Sequence, residues 1–140
     1  MVQFEKLVWK TDWNTGIDSI DQQHQKLLMA INVLHRQFDP STDRPQAERL
    51  FDALEAYARI HFEHEEKLLY QTKYADLANH RTQHQDFFSE IKIHREQAKA
   101  DSELNDAIAD MLAYLLDWLI SHILEVDMKY SPHLLKAGVK

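Results

Sequence analysis

Four separated stretches of this 140-residue chain place histidine and acidic side chains on helical stripes that are otherwise apolar. The side chains in this set are His24, His61, Glu65, His80, His84, His122 and Asp127. A buried polar group that lacks a hydrogen bond or a bound cation costs roughly 1–3 kcal/mol. Two metal ions are the simplest common partner for five imidazoles and two carboxylates. The chain is therefore expected to fold so that the four stretches meet.

The scarcity of chain-breaking residues predicts an all-α fold. Gly and Pro together number five, whereas an all-β fold needs many turns. Apolar residues repeat at steps of three and four in four segments, which begin near Ser19, Pro45, Leu77 and Ser102. Short connections between them imply an up-down-up-down antiparallel four-helix bundle.

The chain is expected to be a single domain, residues 1–140, with three consecutive parts. These parts are an extended N-terminal arm at 1–18, the bundle at 19–130 and a short C-terminal tail at 131–140. Trp9 and Trp13 of the arm are expected to pack onto the bundle.

The helix ends differ in how clearly the sequence marks them. Residues 39–45 hold two prolines and several capping residues, so they separate the first two helices. The turn at 71–74 has neither Gly nor Pro and rests on the shift of the apolar stripe. The third helix is expected to end near Lys99, and Ser131-Pro132 is expected to open the tail.

In this topology all four stretches lie at the same end of the bundle. Each lies near the start of a rising helix or near the end of a descending one, and a helix rises by about 1.5 Å per residue. The whole set therefore falls within roughly 6–14 Å of one end, in a single layer of the core.

Local spacing supports a shared site. His61 with Glu65, and His80 with His84, are i, i+4 pairs that project from one helix face. His122 and Asp127 are five residues apart, which does not fit a regular helix. Either the helix ends between them, or it contains a π-bulge, or Asp127 is not a ligand.

Charge and composition exclude several classes of function. A formal net charge of −7 disfavours nucleic acid and anionic membranes as partners. The absence of cysteine excludes disulfides, iron–sulfur clusters and cysteine-ligated zinc. No signal peptide or membrane span is expected from the apolar runs, so the expected location is the cytoplasm.

Four motifs resemble the successive motifs of the hemerythrin family, in particular the single-domain bacteriohemerythrins. They are GIDSIDQQH at 16–24, HFEHEE at 61–66, HRTQH at 80–84 and WLISHILEVD at 118–127. The resemblance implies two non-haem iron ions (Fe2+/Fe3+) with an oxo or hydroxo bridge, and reversible binding of dioxygen. It also implies that the step of five between His122 and Asp127 is a feature of the family.

The resemblance implies a role for each ligand. One iron would be held by His80, His84 and His122 and would be coordinatively saturated. The other iron would be held by His24 and His61 and would keep an open position for dioxygen. Glu65 and Asp127 would bridge the two irons.

Apolar residues are expected to wall the dioxygen site and exclude water. The candidates are Leu119, Leu28, Trp118 and Ile123. Leu119 is the best candidate for direct contact, because the resemblance places it next to the open iron. For Trp118 and Ile123 ordinary core packing is the favoured interpretation.

The remaining polar residues near the motifs are assigned to ordinary positions. His64 is expected at a solvated edge, and Glu63 and Glu66 on a solvated face. The other histidines, His35, His94 and His133, are expected at the surface or its boundary. Glu125 is a weaker candidate for a partner of a ligand histidine.

Two classes of function follow. The first is a dioxygen-binding protein, not an enzyme, that stores, transports or delivers oxygen to an oxygen-consuming client enzyme, or senses oxygen. The second is a di-iron oxidase, peroxidase or nitric-oxide-handling enzyme. Iron storage ranks lower, because nothing indicates an oligomeric shell, and a monomer is expected.

Overall fold

The computed structural model describes residues 8–37, 44–97 and 101–140, and over these ranges the chain is helical with short connections. The helices are α1 at Asp18–Gln37, α2 at Arg44–Gln71, α3 at Leu77–Gln97, α4 at Asp101–His122 and α5 at Met128–Lys136. A 3-10 turn at Thr11–Trp13 lies in the arm, and a π-helical turn at Ile123–Asp127 joins α4 to α5. The predicted four-helix bundle is confirmed, with α1 and α3 each packed against both α2 and α4.

Several predictions fall outside the described residues. They are the break at 39–43, the end of the third helix near Lys99, and residues 1–7 of the arm. The same holds for the side chains of Leu34, His35, Phe38, Leu50 and Leu104.

The core contains two apolar clusters with a polar layer between them. The smaller cluster comprises Ile17, Ile20, Leu69, Tyr130 and Leu134. The larger cluster fills the rest of the bundle. In α1, His24 lies between Ile20 of the smaller cluster and Leu27 of the larger one. In α2, Glu65 likewise lies between residues of the two clusters. Apolar residues therefore pack against the polar layer on both sides.

The turn after α2 is formed without glycine. Lys73 adopts a left-handed conformation with φ of 59°. The Tyr74 amide then donates to the Leu69 carbonyl at 2.9 Å, and the Lys73 amide donates to the Tyr70 carbonyl at 3.1 Å. This pattern is a Schellman motif, which usually places glycine at the left-handed position. A lysine there explains why the sequence marked this helix end so weakly.

The expected tail is wrong in one respect, because residues 128–136 continue the helical run as α5. Pro132 lies inside α5 and removes a backbone donor. Burial of Tyr130 and Leu134 in the smaller cluster outweighs that loss. Gly138, with φ of 87°, then ends the helix.

The arm is fixed to the start of α1 and to α5. The Asp21 carboxylate accepts hydrogen bonds from the Thr15 amide and hydroxyl, both at 2.7 Å, and from the Gly16 amide at 3.1 Å. The Ser131 hydroxyl donates to the Thr15 carbonyl. Gly16 has φ of 89°, and a Cβ there would lie 3.4 Å from Leu135. The arm therefore turns sharply just before α1 while packed against α5.

One helical run, Asp106–Lys136, is long and apolar enough to cross a membrane by length and composition alone. Core helices of bundles pass the same test. This run directs the buried side chains of His122 and Asp127 into the bundle.

Candidate metal centre

All seven predicted site residues converge in the polar layer, and each is at most 5% exposed. α1 supplies His24, α2 supplies His61 and Glu65, α3 supplies His80 and His84, α4 supplies His122, and the π-helical turn supplies Asp127. The ligand atoms include two groups, and within each group the atoms lie within 4.8 Å of one another. Glu65 belongs to both groups.

The π-helical turn explains the spacing of five between His122 and Asp127. In a regular α-helix five residues rotate a side chain by about 140°, which would point the two side chains apart. The wider turn at Ile123–Asp127 reduces that rotation. As a result His122 Nε2 lies 3.0 Å from Asp127 Oδ1. Of the three alternatives open from spacing alone, the structure has the π-bulge.

The Glu65 carboxylate directs its two oxygens at different sets of histidines. Oε2 lies 3.1 Å from His61 Nε2 and 3.6 Å from His24 Nε2. Oε1 lies 3.2 Å from His84 Nε2 and also contacts His80 Nε2. Glu65 therefore lies between a two-histidine side and a three-histidine side.

Asp127 divides its oxygens in the same way. Oδ2 lies 3.1 Å from His24 Nε2. Oδ1 lies 3.0 Å from His122 Nε2 and 3.3 Å from His80 Nε2. Both carboxylates thus present one oxygen to the two-histidine side, His24 and His61, and the other to the three-histidine side, His80, His84 and His122.

Several inward-facing atoms of this layer are buried without a hydrogen-bond partner. They are Nε2 of His24, His84 and His122, Glu65 Oε2, and both carboxylate oxygens of Asp127. Unsatisfied groups of this kind each cost roughly 1–3 kcal/mol. Imidazole and carboxylate donors suit iron, copper, zinc or manganese. The residues present therefore fit a pair of cations, one on each side of the carboxylates.

When no metal is bound, protons on histidines supply the positive charge that the cations would otherwise bring. Burial opposes a proton on His24, but the contacts with Asp127 and Glu65 outweigh it and raise the His24 pKa to about 9. The same competition raises the pKa of His80 to about 10. Burial raises the pKa of the Glu65 carboxyl, yet close contacts with His24, His61, His80 and His84 hold that pKa well below its usual range. A cation must therefore displace protons from this site.

Three of the histidines have an acceptor on the outer nitrogen. His61 Nδ1 donates to Gln23 Oε1 at 2.8 Å, and His122 Nδ1 donates to Gln83 Oε1 at 3.1 Å. His84 Nδ1 donates to Glu66 Oε2 at 3.0 Å. An acceptor at Nδ1 fixes the tautomer that leaves the Nε2 lone pair directed inward.

Sequence reasoning missed these acceptors. Glu66 was expected on a solvated face, which is wrong, because its carboxylate is partly buried between His84 and Arg81. Glu125, the candidate partner, is exposed. A signal was present, because Gln23, Glu66 and Gln83 each adjoin a predicted ligand in sequence. Such a neighbour points along the helix interface toward a ligand of the adjacent helix.

Of the other histidines, the three whose side chains the structure describes occupy boundary positions, as expected. His64 is half-buried beside Ser19, and its Nε2 lies 2.9 Å from the Ser19 hydroxyl. His94 donates to the Glu90 carbonyl at 2.7 Å. His133 joins α5 to the turn after α2 by a 2.9 Å hydrogen bond to the Thr72 carbonyl.

The predicted wall residues each lie within about one helical turn of a ligand histidine in sequence, Leu28 after His24 and the others around His122. Leu28, Leu119 and Ile123 are buried in the larger apolar cluster. Trp118 is half-buried and stacks on the His122 ring, with centroids 4.4 Å apart and an interplanar angle of 11°. Trp118 therefore flanks the three-histidine side.

Comparison with known proteins identifies relatives over most of the chain. Residues 15–134 match the family model described as the Hemerythrin HHE cation binding domain. A bacteriohemerythrin of Stenotrophomonas maltophilia (strain R551-3) is 33% identical over 125 residues, which cover 89% of this chain and 79% of the relative. A bacteriohemerythrin of Clostridium acetobutylicum is 29% identical, with 88% and 97% of the two chains covered. A crystal structure of wild-type hemerythrin superposes with a TM-score of 0.72 at 26% identity, covering 91% of this chain and 97% of that one.

Proposed function

Because this chain belongs to the hemerythrin family, we propose that it binds dioxygen reversibly at a non-haem di-iron centre in its polar layer. The observation that carries this proposal is the shared division of the Glu65 and Asp127 oxygens. Each carboxylate offers one oxygen to each side of the layer. Two carboxylates in this arrangement are suited to bridging two cations.

The histidines would divide unequally between the two irons. His80, His84 and His122 would hold one iron, and His24 and His61 would hold the other. The side with fewer protein donors is the side with room for an additional ligand. Bound there, the iron pair would supply reversible exchange of electrons with dioxygen.

The residues around the site would keep water and protons out. Leu28, Leu119 and Ile123 are at most 3% exposed and contribute only apolar surface. A dry surrounding disfavours separation of charge and proton transfer into the site. These side chains would therefore favour release of dioxygen as dioxygen over irreversible oxidation.

The hydrogen bonds of the nearby carboxylates favour dioxygen binding over catalysis. Glu66 accepts from His84 and Arg81, and Asp21 accepts from the Thr15 and Gly16 amides. Both groups are thus committed to hydrogen bonds that hold the structure. We propose a monomeric cytoplasmic protein that stores, transports or delivers dioxygen to an oxygen-consuming client enzyme, and not an oxidase, peroxidase or nitric-oxide-handling enzyme.

Metal analysis with dioxygen uptake tests this function. Chain loaded anaerobically with ferrous iron should retain two irons after desalting and take up one dioxygen per chain. The His61→Ala variant should lose iron from the two-histidine side and fail to take up dioxygen. A wild-type chain that retains other metals in preference to iron, or takes up no dioxygen, would overturn the proposal.

A further inference from the structure

An apolar groove runs along the outer face of α1, beside the N-terminal arm. It has a volume of about 260 Å³, and most of its lining is apolar: Val8 and Trp9 of the arm and Leu28, Met29 and Val33 of α1, with the polar side chains of Gln25, Asn32 and Arg36 beside them. Val8 and Met29 are 72% and 62% exposed, so the groove is open to solvent and has apolar side chains at its mouth. Its lining thus combines exposed and buried apolar side chains.

Two lining residues of the groove, Trp9 and Leu28, lie close to His24 of the two-histidine side. Leu28 is only 3% exposed and also belongs to the larger apolar cluster, so one side of it faces the groove and the other the core. His24 precedes Leu28 by one helical turn. The Trp9 ring lies 6.3 Å from the His24 ring, centroid to centroid. Trp9 and Leu28 therefore lie between the open groove and His24.

The position of Trp9 is fixed by two contacts. Its Nε1 donates to Asn14 Oδ1 at 2.8 Å. Its ring packs edge-on against Trp13, with centroids 5.4 Å apart. Trp13 is itself buried in the larger cluster. The arm therefore places the Trp9 indole beside His24 and leaves the groove open to solvent.

A second cleft borders the centre on its other side and has a different character. It has a volume of about 230 Å³, and its lining combines Tyr114, Trp118 and Val126 with the polar residues Gln83, Asp117, Ser121, His122 and Glu125. This cleft is more polar than the groove, and through His122 it adjoins the three-histidine side. Dioxygen is small and apolar, so the more apolar groove suits it better than a cleft whose lining includes the Asp117 and Glu125 carboxylates.

We propose that the groove between Val8–Trp9 and Leu28–Met29 is the route by which dioxygen enters and leaves the two-histidine side. Trp9 and Leu28 form the barrier along that route. This inference rests on the proposed function, because it assigns an access path to the same site. The arm then contributes to dioxygen exchange although it supplies no ligand.

Rates of dioxygen exchange test the route in the iron-loaded full chain. Met29→Trp places a large side chain at the exposed mouth, away from the core. The association rate should fall by about tenfold, as roughly 1.4 kcal/mol of added barrier would produce. The dissociation rate should fall by the same factor, leaving Kd unchanged, because an obstacle on a path slows passage in both directions. Unchanged rates in Met29→Trp, or a change in only one of the two rates and hence in Kd, would overturn the proposal.

A matched variant and an iron-independent measurement complete the test. Asp117→Trp, an exposed substitution in the second cleft, should leave both rates unchanged, and a fall equal to that of Met29→Trp would overturn the proposal. Xenon is an apolar probe that requires no iron. Crystals of metal-free chain under xenon pressure should show xenon beside Leu28 in the wild type and none there in Met29→Trp. An empty wild-type groove would contradict the route. A wild-type chain that binds no dioxygen would contradict the proposed function instead, and the xenon result would still decide whether the groove admits an apolar gas.

Discussion

Glu65 and Asp127 each direct one carboxylate oxygen at His24 and the other at His80. Oε2 of Glu65 and Oδ2 of Asp127 lie 3.6 and 3.1 Å from His24 Nε2. Oε1 of Glu65 and Oδ1 of Asp127 both contact His80 Nε2. The two carboxylates come from α2 and from the π-helical turn, far apart in sequence. Their parallel arrangement defines two sides of one centre.

Glu65→Ala should abolish metal retention, because it removes the one carboxylate shared by both groups of ligand atoms. It should also lower the free energy of unfolding of the metal-free chain by about 3–5 kcal/mol, since buried histidines lose their counter-charge. Metal analysis and urea unfolding measure the two effects. Glu63→Ala, at an exposed position of the same helix, should retain metal and change stability by less than about 0.5 kcal/mol. Full iron retention by Glu65→Ala would remove this residue from the centre.

Stability of the metal-free chain should fall as pH rises from about 6.5 to 9. The His24 pKa is about 9 in the folded chain, against an ordinary value of 6.5 for histidine. Its contribution is therefore fully present below about pH 6.5 and is lost as pH rises through 9. His80, with a pKa of about 10, shifts stability in the same direction. Thermal unfolding of chelator-treated chain at pH 6.5, 8 and 9.5 measures this. The stability of the iron-loaded chain should not decline in this pH range, since cations replace the protons. Equal declines in the two forms would contradict this prediction.

Glu66→Ala should weaken metal binding by about 10- to 100-fold, because it removes the acceptor that fixes the His84 tautomer. Competition with a chelator of known affinity measures the change. Glu66→Gln keeps an acceptor oxygen and should recover part of the loss. If Glu66→Ala bound metal like the wild type, the hydrogen bond to His84 would have no role in the centre.

Leu119→Ala should speed irreversible oxidation of the oxygenated chain by about tenfold, which corresponds to roughly 1.4 kcal/mol of lost barrier. The reason is that a cavity beside the centre admits water. Leu115→Ala, one turn away in α4 and equally buried, should cost a similar 2–5 kcal/mol in stability without changing the oxidation rate. Absorption followed over time in air compares them. Equal rates in both variants would show that Leu119 only packs.

The sequence predicted the four-helix bundle and the placement of the ligand stretches at one end of it. The reason is that helical periodicity and rise determine which residues share a layer. Three features depended on tertiary structure. Lys73 takes a left-handed conformation that the sequence does not signal, because neighbouring contacts hold it there. Pro132 lies within a helix because apolar burial outweighs its missing donor. Glu66 lies between helices because the α2–α3 packing brings it to His84, which periodicity along one helix cannot reveal.

Absorption spectra through repeated oxygen cycles test the central claim most directly. Wild-type chain loaded with iron is reduced anaerobically, exposed to air and then degassed, and its iron content is measured alongside. The proposed function predicts two irons per chain and a visible band that appears in air, disappears on degassing and returns in later cycles. Two irons that oxidise in a single pass, with no band that reverses on degassing, would contradict reversible binding and place an oxidase or peroxidase first.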